Sequence, residues 1–200
     1  MDNSENSQLH LTPTFYLGWF LNLIRSSITY KFIVGVILFG VFLFSLYLIQ
    51  FSTPDLAGND GYYHIRFAYL MRTEGLIPDF PWLPLTILNS GEFYDHHFLY
   101  HVALIPFTFG DLILGAKWAS IFFASIAFLS VWWLLQGQRV PYAALWALGL
   151  LVISEAFLYR MNMPRAQSLS LAILVLGLNF LLHKKYKFFV AIILYLCLDV

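Results

Sequence analysis

Two hundred residues that are 60% hydrophobic and 11% charged, with a mean hydropathy of +0.73 and no formal net charge, do not describe a water-soluble domain, which carries about 25% charged residues. The balance gives no bulk attraction for nucleic acid. The single cysteine, Cys197, excludes an internal disulfide. The chain reads as an integral membrane protein with the lipid bilayer as its solvent.

In chain order, MDNSENSQLH is a polar start. Thr12-Pro13 then reads as a helix cap followed by proline at the first helical position. Phe15, Trp19 and Leu23 recur at helical spacing, which predicts either a short helix lying on the membrane surface and ending near Arg25 or a cytosolic extension of the first span. Residues 1–31 thus form a cytoplasmic tail. Residues 32–51, FIVGVILFGVFLFSLYLIQF, carry no charge and suit a first span, read as an uncleaved signal-anchor. Further spans are predicted over 112–135, over 141–158 opened by Pro141, and over 167–182. An apolar run from 188 is still open at Val200, too short to cross as it stands, so the reading expects a longer protein. Ala116, Ser120, Ala124 and Ala127 make a small-residue stripe on the second span, suited to close helix packing. The expected architecture is an all-α transmembrane bundle of about five spans over 32–200, with a large, partly helical first external loop over 52–111.

Charge sets the orientation. With the N-terminus cytoplasmic, Arg25, Lys31, Arg139, Lys184, Lys185 and Lys187 lie inside, several of them in the very short connectors QGQR and HKKYK. Arg66, Arg72, Lys117, Arg160 and Arg165 then lie outside, as do most of the acids.

The external loop opens with GNDGYYHIRFAYLMRTEG, predicted as a helix over 60–74 with Asn59 or Asp60 as cap and Gly75 as terminator. Asp60 and His64, four apart, share a face. The proline-rich IPDFPWLPLT and a turn at Asn89-Ser90-Gly91 follow. EFYDHHFLYHVALIPF then gathers Asp95, His96, His97 and His101, with His97 and His101 on one helical face and Pro106 breaking the helix. Asp60, His64, Asp95 and His97 are oxygen and imidazole donors suited to a divalent ion such as magnesium or manganese. Such an ion at a membrane face serves a phosphate-bearing substrate. Arg66, His96, His101, Arg160 and Arg165 are candidate substrate-binding groups, the guanidinium fork being matched to phosphate oxygens. Each feature also has a structural reading: an aspartate that only caps, histidines that only pack, arginines that snorkel to headgroups.

The order of an uncharged first span, GNDGYYHIRFA, a proline-aromatic loop and a second span resembles the GT-C superfamily of membrane glycosyltransferases. It is most similar to the catalytic subunit of archaeal and bacterial oligosaccharyltransferases, with Asp60, Tyr63, His64 and Arg66 matching the family's run. The resemblance implies a multi-pass protein of the prokaryotic plasma (inner) membrane that takes a polyprenyl-phosphate-linked sugar or oligosaccharide as donor at the outer face. It also implies a catalytic Asp60 that binds a divalent ion and orients the acceptor, or, as in other branches, acts as general base. The acceptor, protein or lipid, is left open. The family's second acidic pair is missing: the stretch after the third span reads YRMNMPRAQS. Either Asp95, His96 or His97 completes the ion site, or there is no ion. The rival classes are a multi-span transporter and a non-catalytic assembly subunit.

Overall fold

In the computed structural model of the chain, residues 28–79 and 94–198 are described, with side chains over 29–79 and 94–193. The predicted surface helix before Arg25, the proline-aromatic stretch beyond Asp79 and the Asn89-Ser90-Gly91 turn fall outside these residues. Among the described residues all regular secondary structure is helical, without a strand. In chain order they form α1 (Ile28–Gln50), α2 (Asp60–Glu74), α3 (Phe98–Leu104) followed by a 3-10 turn (Ile105–Thr108), α4 (Leu112–Gly137), α5 (Ala143–Gly149), α6 (Glu155–Asn162), α7 (Ala166–Leu182) and α8 (Tyr186–Leu198). The chain divides into two compact units, 1–37 and 38–200. Of the first, the described part is the opening turns of α1, where Phe32, Ile33, Val36 and Ile37 are exposed.

Among the described residues two helices are long and apolar enough to cross a membrane: residues Thr29–Gln50 within α1, and α4. At about 1.5 Å per residue each spans the hydrocarbon thickness. A third crossing arises if α6 and α7, bent by 101° between them, are taken as one span. Along the second unit's part of α1, Val41, Phe44 and Leu48 stay exposed while Leu38, Phe42 and Leu46 are buried at the i, i+4, i+8 spacing of a single helical stripe. Phe42 meets Phe128 edge-on, and Tyr47 stacks on Trp118. A broad apolar face left uncovered is what hydrocarbon tolerates and water does not.

The span predicted over 141–158 is not one helix. It forms two short pieces, α5 and α6, separated by the turn at 150–154. Pro141 sits ahead of the first piece rather than in its first turn, because Tyr142 adopts the left-handed conformation with φ 57°. Gly149 and the β-branched Val152-Ile153 weaken the helix where it stops. Glu155 restarts it in the first turn of α6, where a carboxylate favours a helix N-terminus. As helices, the other predicted stretches are recovered closely: α4 covers 112–135 and two residues more, α7 covers 167–182 with one more, and α8 begins two residues before 188.

The core of the second unit lies between α2, α3 and α4. Leu56, Ile65, Ala68, Tyr100, Leu104, Ala116, Ala119 and Phe123 form one buried cluster. The stripe of Ala116, Ser120, Ala124 and Ala127 is buried. α4 packs most heavily on α7, and also on α5 and α6. Asp111 Oδ1 caps α4 by accepting from the Leu114 amide at 2.8 Å. Lys117, 2% exposed, donates from Nζ to the Thr53 carbonyl at 2.5 Å and lies over the Phe51 ring. This lysine fastens the segment after α1 to the start of α4. α2 has the predicted ends, Asp60 and Glu74, and Gly75 follows with φ 116°, a conformation that glycine adopts without strain.

Candidate functional site

The site is built where the start of α2 meets two segments distant in sequence. On one side lies Met163-Pro164-Arg165, the bend between α6 and α7. A Cβ at Gly61 would overlap the Pro164 ring and crowd Leu56. Only a glycine lets the first turn of α2 seat this closely on the bend. Seated there, Arg165 reaches Asp60: a guanidinium nitrogen lies 2.5 Å from Asp60 Oδ2, with the carboxylate 52% and the arginine side chain 32% exposed. Asp60 is the first helical residue. Asn59 holds the cap position without a side-chain cap bond.

On the other side, α3 and the residues before it bring three groups into line. His64 Nδ1 lies 2.8 Å from His101 Nε2, and His101 Nδ1 lies 2.7 Å from Asp95 Oδ2. The second carboxylate oxygen of Asp95 accepts the His97 amide at 3.0 Å. His101 is fully buried and His64 is 5% exposed. With Asp95 ionised, His101 donates from Nδ1, which leaves its Nε2 to accept from His64 Nδ1–H, or to donate to it if His101 carries a second proton. Burial pushes the His64 imidazole down to about 3, helped by the positive charge of His101, His97 and Arg165 and opposed by Asp95. Arg165 is therefore close enough for its charge to bear on the His64 ring. Tyr63 packs on both rings, its centroid 5.2 Å from His64 and 5.7 Å from His101. Burial and the Asp95 charge push its phenol up to about 12.

The remaining candidates are spread around this centre. His97 is exposed at the cap position of α3, where its carbonyl accepts the His101 amide at 2.9 Å and its ring meets His101 edge-on at 6.3 Å, on one face as predicted; the ring also lies 5.3 Å from His64. His96 is exposed, with its ring against Tyr94. Arg66 is exposed, its guanidinium over the Tyr69 ring. Arg160 is exposed in the last turn of α6.

Among the described residues no three His, Cys, Asp or Glu side chains are grouped to hold an ion. Asp60 lies against Arg165, and His64 and Asp95 each lie against His101. Glu155 stands at the other end of α6 from the bend.

Beside Asp95 opens an apolar cavity of about 390 Å³, walled by Phe67, Ile77, Pro78, Tyr94 and Phe98. Asn162 was not singled out by its sequence position. It is 2% exposed at the end of α6, with Nδ2 donating to the Leu158 carbonyl at 3.0 Å and Oδ1 without a partner among the described residues. No protein family's profile, no curated protein and no solved structure matches the chain.

Proposed function

We propose that the chain is part of a multi-pass membrane glycosyltransferase of GT-C type that uses a polyprenyl-phosphate-linked sugar or oligosaccharide at the outer face of a prokaryotic plasma membrane, with a cytoplasmic N-terminus and about five crossings. The observation that carries this reading is the Asp60–Arg165 pair, held directly after an apolar span by a glycine-proline contact. An ion pair this exposed contributes little to stability, roughly 0–1 kcal/mol. Its geometry instead suits recognition: a half-open guanidinium presents N–H donors to phosphate oxygens, while the carboxylate fixes its orientation. In the reaction, Arg165 steadies the charge that gathers on the phosphate as its bond to the sugar breaks. Asp60 holds that arginine and faces the acceptor. The cavity beside Asp95 offers apolar walls for isoprenoid units.

The test is consumption of a polyprenyl-phosphate-linked sugar by membranes carrying the protein. Asp60→Ala should insert and fold as the parent does yet lose turnover. Undiminished consumption by that variant removes the catalytic role of Asp60, and no consumption by the parent removes the reading. The 101° bend between α6 and α7 favours one rival, a transporter with a discontinuous helix. Flux of sugar into sealed vesicles without any transfer product would select it.

A further inference from the structure

We propose that Asp95, His101 and His64 form a proton relay whose open end, His64 Nε2, takes the proton from an acceptor hydroxyl beside the Asp60–Arg165 pair. The inference rests on the glycosyl-transfer reading for its substrate, and on geometry alone for the relay itself.

Three observations carry it. First, the ring nitrogens form an unbroken series. Asp95 Oδ2 meets His101 Nδ1 at 2.7 Å, and His101 Nε2 meets His64 Nδ1 at 2.8 Å. Both nitrogens of His101 and one of His64 are committed. Among the described residues nothing hydrogen-bonds His64 Nε2. Second, the series is built from separate elements: α2 supplies His64, α3 supplies His101 and the segment before α3 supplies Asp95. His101 is fully buried and the Asp95 side chain is 12% exposed, so the proton path is shielded from water except at its ends. A pairing of two imidazoles in a buried setting is costly unless each nitrogen is satisfied, and here the carboxylate completes it. Third, Asp60, the obvious carboxylate base, is engaged by Arg165. His64 lies one helical turn further along the same face, within reach of the same charge.

The proton balance closes without an added reagent. The acceptor oxygen attacks the anomeric carbon, and the bond from that carbon to the phosphate oxygen breaks, its electron pair leaving with the polyprenyl phosphate. The acceptor proton passes to His64 Nε2. His64 gives its Nδ1 proton to His101 Nε2. The added charge then resides on His101, whose Nδ1–H stays bonded to the Asp95 carboxylate. Burial makes His64 a poor place for a proton to remain, so a second ring with its own carboxylate is what lets this base work. Once product has left, the proton returns through His64 Nε2 to water. In this scheme His64 is the catalytic base, whereas His101 and Asp95 are positioning residues.

The full chain in nanodiscs, labelled with 15N-histidine, tests the relay without substrate. At neutral pH the His64 Nε2 resonance should be that of an unprotonated ring nitrogen, with a scalar coupling between His64 Nδ1–H and His101 Nε2. An Nε2–H tautomer of neutral His64, or no coupling, overturns the relay. Kinetics on a polyprenyl-phosphate-linked hexose with a hydroxyl acceptor form the second arm. His101→Phe, close in volume, should lower kcat on the order of 10²-fold with the donor KM within about twofold of the parent. Asp95→Asn should move the acid limb of kcat/KM to lower pH, because the relay loses the charge that favours its protonated form. The groups facing His64 in that profile are Asp95, His97, Tyr100 and His101 on one side, Arg165 on the other, and Asp60 and Tyr63 on its own helix. A His101→Phe protein with parental kcat and pH profile overturns the relay. No consumption by the parent protein with the 15N pattern intact overturns the glycosyl-transfer reading and leaves the hydrogen-bonded relay standing.

Discussion

Lys117 Nζ donates to the carbonyl oxygen of Thr53, so a buried ammonium on α4 holds the strand of chain that leads from α1 to the site. Hydrogen bonds to charged groups are worth about 1.5–3 kcal/mol. Lys117→Ala should lower unfolding stability by an amount of this order, read as a drop in thermal midpoint in nanodiscs. Lys117→Met, which keeps the aliphatic stem against Phe51, should cost less. Equal midpoints for all three proteins would contradict the anchoring role.

Gly61 sits inside the first turn of α2, where alanine is ordinarily the better helix former by roughly 1 kcal/mol. Here the Pro164 ring occupies the place of the alanine methyl. Overpacking of this kind costs about 1–3 kcal/mol, and a proline ring has little freedom to yield, so the overlap should win. Gly61→Ala is expected to lower both the thermal midpoint and sugar consumption. A stabilised variant would show that the bend yields freely.

Arg165→Gln separates stability from function. The pair it breaks is half-exposed, so the thermal midpoint should move by less than the equivalent of about 1 kcal/mol. Turnover should fall on the order of 10²-fold or more if the guanidinium meets the leaving phosphate. Arg165→Lys, a point charge without the fork, should recover only part of that loss. Comparable losses of stability and activity across both variants would reduce Arg165 to a structural tie.

The buried His64 also makes stability depend on pH. Its pKa is about 3 in the folded protein against 6.5 for a free imidazole, so between these values the unfolded chain binds the extra proton. Stability is therefore complete above about pH 6.5 and is lost progressively as pH falls toward 3. Thermal midpoints measured across that window should decline, and His64→Phe should flatten the decline. An unchanged slope in the variant would assign the dependence to another group.

Much of this arrangement can be read from local patterns. The absence of charge marks α1, and the cap and glycine signals mark both ends of α2. The small residues of α4 are buried as their spacing predicts. These features depend on neighbours within a turn or two. The site depends on pairings that periodicity does not encode. His64 and His101 are 37 residues apart, and Asp60 and Arg165 are separated by the whole run from α2 to α6. The same residues were legible as chemistry-bearing groups. Which of them pair, Asp60 with Arg165 and both His64 and Asp95 with His101, was not. The break at 150–154 was hidden because an unbroken apolar run looks alike whether it forms one helix or two short ones joined by a turn.

That break has a geometric consequence. Asp60 follows α1 at the same end of the bundle as the first turns of α4, to which Lys117 ties the chain, and α4 then runs on for 26 residues, about 39 Å at 1.5 Å each, away from that end. Because Arg165 touches Asp60, residues 138–164 must climb the whole way back, and they do so as a staircase of two short flights and a landing instead of a single shaft. At the landing Val152 is 83% exposed and Ile153 63% exposed, while the Leu150, Leu151 and Val152 amides keep turn bonds to the carbonyls of Ala147, Leu148 and Gly149. The landing thereby turns two bulky apolar side chains outward at the very point where the helix is interrupted.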